Sequence, residues 1–155
     1  MLTRQFGEGL LARAMNDEAR ARNAFTAARQ EQEELVEKQK DYGPPLCVLG
    51  LIDAALGHKE AALQEGRRAM ELLPVQKDSH GGQTLINYFA LIAAWAGEKD
   101  LALQQLATAA STATATASQI TSYGALKRSP VWDPLRGDPR FEQIVASLAP
   151  KEPSK

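Results

Sequence analysis

The chain has 155 residues, is 44% hydrophobic with 6% aromatic residues, and sets 18 basic against 19 acidic residues for a net charge of −1. Both signs run along its whole length, which excludes the basic footprint of a nucleic-acid binder or of a protein held on anionic lipid. Its apolar runs fall short of the roughly 20 residues a membrane span needs, no secretory pattern opens it, and the single Cys47 forbids an internal disulfide. The expectation is a cytoplasmic protein, with an upstream anchor in a longer parent left open.

Leu2 to Met15 reads as a first helix, and Asp17 opens a second that runs to about Lys40. From Gln30 onward this helix is mostly Gln, Glu and Lys, so its end is expected to stand in solvent beyond the core. Asp41-Tyr42-Gly43-Pro44-Pro45 breaks the chain, because Pro suits a first helical turn and little else in a helix. A second pair follows over Pro45 to Leu56 and Lys59 to Leu73. Pro74 then forces an exit into Val75 to Gly82, a connector rich in turn formers. Gln83 to Ala96 and Lys99 to about Ala110 make a third pair, in which Leu85, Ile86, Phe89, Ile92 and Ala93 recur at helical spacing. Ser111 to Ser118 alternates Ala, which favours helix, with Thr and Ser, which compete for its hydrogen bonds, and reads as a mobile loop or a frayed helix. In the tail, Ser129 and Asp138 each precede Pro, so each is expected to cap a short helix. The second helix buries Phe141, Ile144, Val145 and Leu148, with Trp132, Leu135 and Phe141 as anchors.

Three stretches align by their small residues. Gly9, Gly50 and Ala90 lie 41 and 40 residues apart, and each is followed twelve residues later by Ala21, Ala62 or Ala102. Small side chains at that spacing mark where two antiparallel helices approach closely. Between them stand Asn16, Gly57 and Gly97, the residue types that accept the left-handed conformation ending a helix. The pattern resembles the tetratricopeptide repeat (TPR) family, which places small residues in this way and closes with Pro, as Pro74 does here. The resemblance implies an all-α fold of about three antiparallel helix pairs in a short right-handed solenoid, with repeats over 2–40, 44–74 and 82–110. A connector over 111–122 and a cap over 123–150 complete one domain spanning 1–155. Three features depart from the family. The first and third copies, with Phe25 and Leu106 at the bulky position, lack the closing Pro. Gly66 stands where a bulky residue belongs, predicting a thin spot, and the period exceeds the usual value of about 34, so helices or connectors must absorb the excess. Armadillo or HEAT-like pairs have similar periods and are the alternative architecture.

Tyr123-Gly124-Ala125-Leu126-Lys127 and Pro130-Val131-Trp132-Asp133-Pro134-Leu135-Arg136-Gly137-Asp138-Pro139-Arg140-Phe141 look like the ending of C-terminal TPR regions in large bacterial signalling proteins. Those proteins carry kinase, adenylate cyclase or DNA-binding regulator modules upstream. The resemblance covers about Tyr42 to Lys151 and implies a sensor or docking portion, since no kinase motif occurs in this chain.

The residues offer little chemistry. His58 and His80 fit no metal-ligand spacing, and Cys47 reads as a small apolar filler without a partner for nucleophilic catalysis. Asp133 and Asp138 read as caps. No catalytic residue, metal or cofactor is expected, and the function implied is protein–protein interaction. If the first helix of each pair lines a concave face, Phe6, Leu10 and Arg13, then Cys47, Leu51 and Ala54, then Thr84, Asn87, Tyr88 and Leu91 form a groove for an extended peptide or amphipathic helix. The rival reading is a structural or homodimerisation module in which the groove, or the helix from Ala24 to Lys40, meets a second copy. A lesser alternative is a small-molecule pocket near Tyr88, Trp95 and Trp132.

Overall fold

The computed structural model describes residues 3–111 and 119–150, and among these every regular element is helical. Helices α1 (Arg4–Ala14) and α2 (Glu18–Lys38), α3 (Gly43–Leu56) and α4 (Lys59–Leu72), and α5 (Ser79–Trp95) and α6 (Lys99–Ala110) form three hairpins. Two short helices, α7 (Tyr123–Arg128) and α8 (Pro139–Ser147), flank a 3-10 segment over Pro130–Leu135. Within this order α2 packs on α3, α4 on α5 and α3 on α5, consistent with a helical repeat.

The three hairpin turns are built alike. Asn16, Gly57 and Gly97 all adopt positive φ, at 58°, 86° and 83°. One residue later, the backbone N–H groups of Asp17, His58 and Glu98 donate to the carbonyls of Ala12, Asp53 and Ala93, each at 2.9 Å. This six-to-one bond satisfies a carbonyl that the end of the helix leaves exposed, and the left-handed residue before it makes the reversal possible.

Close approach follows the small residues. A Cβ placed on Gly50 would lie 3.0 Å from the Ala62 carbonyl oxygen, so only glycine lets α3 and α4 come this near. Gly66 leaves no thin spot, contrary to the sequence reading. Phe89 of α5 fills the space, and a Cβ on Gly66 would stand 2.5 Å from its ring and 3.2 Å from Ile92 Cδ1. In the first hairpin the corresponding aromatic is Phe25 of α2 itself, packed on Phe6 with ring centroids 5.6 Å apart. A bulky group is therefore required at each level, and either neighbour can supply it.

Several boundaries differ from expectation. Ser79 to Gly82 belong to α5, because Asp78 caps that helix by accepting from the N–H groups of His80 and Gly81 at 3.1 and 2.8 Å. The long period is absorbed by α2, with 21 residues, and α5, with 17. The end of α2 is not simply a wet extension. Gln32 is buried and donates to the Pro45 carbonyl at 2.7 Å, tying α2 to the start of α3. The Ser111 to Ser118 reading lies outside the described residues over 112–118.

The tail closes the last hairpin. Trp132, Leu135 and Phe141 are buried as anchors, Trp132 Nε1 donates to the Ile120 carbonyl at 2.8 Å, and α8 packs on α6, where Arg140 reaches Asp100. Asp138 caps α8 as expected. Ser129 makes no side-chain cap, and Pro130–Leu135 is 3-10 rather than α, since Pro134 within it has no N–H to give. Asp133 pairs with Arg136 instead of capping, and Arg136 also donates to the carbonyls of Lys127 and Ser129.

Candidate partner-binding cleft

The ten residues expected to line a groove separate into two groups. Phe6, Cys47, Leu51, Ala54, Asn87 and Leu91 are buried, whereas Leu10, Arg13, Thr84 and Tyr88 are half-buried. The reason is that α3 and α5 are enclosed nearly all round, so most of their supposed groove face is core. Burial pushes the Cys47 thiol up to about 12, in keeping with a filler.

Three of the ten, Leu10, Arg13 and Ala54, line a cleft of about 1040 Å³. It lies at the turn end of the hairpins. One wall is the last turn of α1 with Leu11 and Ala14, the base includes Ala55, Leu56 and Trp95, and the opposite wall is Pro130, Val131, Asp133 and Pro134 of the 3-10 segment. Leu11 is 56% exposed, and Met15, one turn further along α1, is 64% exposed. In the repeat alignment Leu11 corresponds to Ile52 and Ile92, both fully buried, and Ile92 lies close to α4 of the preceding hairpin. Among the described residues nothing covers the Leu11 and Met15 edge of α1 in this way.

Arg13 is the polar centre of the cleft. Its guanidinium sits 4.9 Å from the Phe25 ring centroid and 5.0 Å from that of Trp95, and Nη2 donates to the Ala55 carbonyl at 2.6 Å. That bond also serves a carbonyl in the last turn of α3. Burial lowers the pKa of Arg13, partly offset by Glu18, which means that its neighbours return less than the water it has lost. Trp95 is itself fixed, with Nε1 donating to the Val131 carbonyl at 2.8 Å. Arg22 lines the same cleft, and its side chain has no partner among the described residues. Asp133 does not neutralise either arginine, because Arg136 holds it at 2.6 Å. Of the pocket expected near Tyr88, Trp95 and Trp132, only Trp95 borders this cleft.

A second polar cluster was not anticipated. Asp53 is 0% exposed, in the column where the other repeats carry Ala12 and Ala93. It accepts from Arg29 Nε at 2.6 Å and Nη2 at 3.3 Å, and it meets His58 Nδ1 at 2.6 Å. Glu65 of α4 brings a second carboxyl against it. Burial, then the Asp53 charge, raises the Glu65 pKa well above the carboxylate range. A proton on Glu65 removes the repulsion between the two acids. Glu33, which pairs with Arg29 at 2.5 Å, completes a network spanning α2, α3 and α4.

The signal for Asp53 was present as an acid in a column of buried alanines. For the cleft it was Trp95, aligned with Ala14 and Ala55 and large enough to reach from α5 to α1. Among the described residues no three His, Cys, Asp or Glu side chains converge as metal ligands, and no helix is long and apolar enough to cross a membrane. No protein-family model, curated protein or solved structure matches the chain, so any functional reading rests on the geometry of the cleft.

Proposed function

We propose that the hairpins form a short right-handed TPR-like array closed by the C-terminal cap, and that the protein is a non-catalytic interaction scaffold that docks a peptide or partner domain. The equivalent turns, the Gly50–Ala62 approach and the stacking of each second helix on the next first helix support the array. One observation carries the docking role: a cleft with apolar walls of Leu10, Leu11, Trp95, Val131 and Pro134, together with guanidinium groups of Arg13 and Arg22. Apolar walls give a bound segment affinity, and a few fixed polar groups set its register.

Selection of a random-peptide display library against the full chain tests this reading. Enriched peptides should lose binding to a Leu11→Glu variant whose helicity, by circular dichroism, is unchanged. A library that yields no binder, or binders indifferent to Leu11→Glu, refutes it. The second reading, a structural or self-associating module of a larger bacterial signalling protein, draws support from Leu35 and Tyr42. These exposed large apolar residues lie away from the cleft, at the far end of α2.

A further inference from the structure

The exposed large apolar residues of the described chain fall into two pairs. Leu11 and Met15 stand at the cleft end, whereas Leu35 and Tyr42 are 36% and 50% exposed around the turn from α2 to α3. Both ends carry charges of each sign, with Glu18 near Arg13 at the cleft and Lys38 just after Leu35 at the other end, but their balance differs. At the cleft the basic groups are Arg13, whose only acceptor among the described residues is the Ala55 carbonyl, and Arg22, which has no side-chain partner there. At the other end the acidic groups are Glu31, one turn before Leu35, and Glu34 and Asp41, none of which has a side-chain partner among the described residues. Glu33 and Glu37 in the same stretch are already paired, with Arg29 and Lys40.

These patches cannot meet within one molecule. Arg22 and Leu35 sit on the same helix and are held about 20 Å apart by its rise. We infer that the acidic end of α2 in one copy, with Leu35 and Tyr42, docks in the basic, apolar cleft of a second copy. This inference rests on reading the cleft as a docking site and names its occupant. The contact joins two different surfaces, so it is heterologous. Each docked molecule still offers a free cleft and a free α2 end, and association continues into chains or closes as a ring rather than stopping at a two-fold dimer. Two large side chains on each face make a small contact, so the association is weak and transient, and salt weakens it by screening the exposed charges.

Sedimentation velocity and light scattering over a concentration series of the full chain test the inference. The average mass should climb with concentration and fall as salt is added. Arg22→Glu and Glu31→Arg each replace an exposed, unpartnered charge, so neither endangers folding, and each should weaken association by about tenfold through like-charge contact. The double variant, with both signs exchanged, should recover it, and an equimolar mixture of the single variants should assemble as the native chain does. A strict monomer at every concentration overturns the inference, as does assembly indifferent to either single change or loss that the double variant fails to restore. The peptide-library result is unaffected by any of these outcomes, so failure of self-docking and failure of the cleft reading are separable.

Discussion

Glu65→Gln removes the acid that Asp53 opposes while keeping its shape and its ability to donate a hydrogen bond. The folded chain holds the Glu65 proton up to a pKa of about 8, whereas the unfolded chain releases it near 4.5. The folded state therefore binds more protons across that window. The stability contributed by Glu65 is fullest below pH 4.5, declines as pH rises toward 8, and is level beyond. Each pH unit corresponds to at most ~1.4 kcal/mol, and because Glu65 is only partly buried the full interval is discounted to roughly 2 kcal/mol. Urea unfolding of wild type and variant at pH 5 and pH 8.5 is the assay. The variant should match wild type at pH 5 and exceed it by roughly 2 kcal/mol at pH 8.5. A difference that does not change with pH, or a variant less stable at pH 8.5, refutes the protonated carboxyl.

Arg29→Ala leaves the Asp53 carboxylate without its guanidinium partner and should cost about 2 to 4 kcal/mol by urea titration, lowered from the fully buried case because Arg29 is 29% exposed. Asp53→Ala, which installs the residue found at the equivalent positions 12 and 93, should be far milder and should flatten the Glu65-dependent slope of stability with pH. Gly66→Leu, copying Leu106 of the third repeat, collides with Phe89 and should lower stability by about 1 to 3 kcal/mol in a thermal melt. Asn16→Gly relieves a non-glycine residue at positive φ and should be neutral or stabilising, whereas Gly57→Ala should lose about 1 kcal/mol, both read by thermal unfolding.

What was legible in the residues was whatever a local rule enforces. Asn16, Gly57 and Gly97 could be read as left-handed turn residues because few other side chains tolerate that backbone, and the Gly50–Ala62 approach followed from size alone. The groove was not legible. A 3.6-residue period shows that Leu51 and Leu91 lie on an apolar face, but not whether that face meets a neighbouring helix or a partner, and in α3 and α5 it meets neighbours. The far wall of the cleft, Pro130 to Pro134, comes from a fold-back of the tail that no repeat period encodes. The residues gave no reading of Asp53 for a related reason. Its partner Arg29 lies 24 residues earlier, in the preceding hairpin, where sequence spacing gives no hint of contact.

The two junctions between hairpins are fastened by different kinds of force. Both share one apolar core, to which the first adds an ion pair, Arg29 with Asp53, and the Gln32 amide, whereas the second adds Phe89 and Ile92 seated over a glycine. Where adjoining units are held by seams of different character, the order in which they fray depends on conditions. Cooling weakens an apolar seam. Near freezing, then, the third hairpin and its cap should loosen from the rest before the first hairpin does.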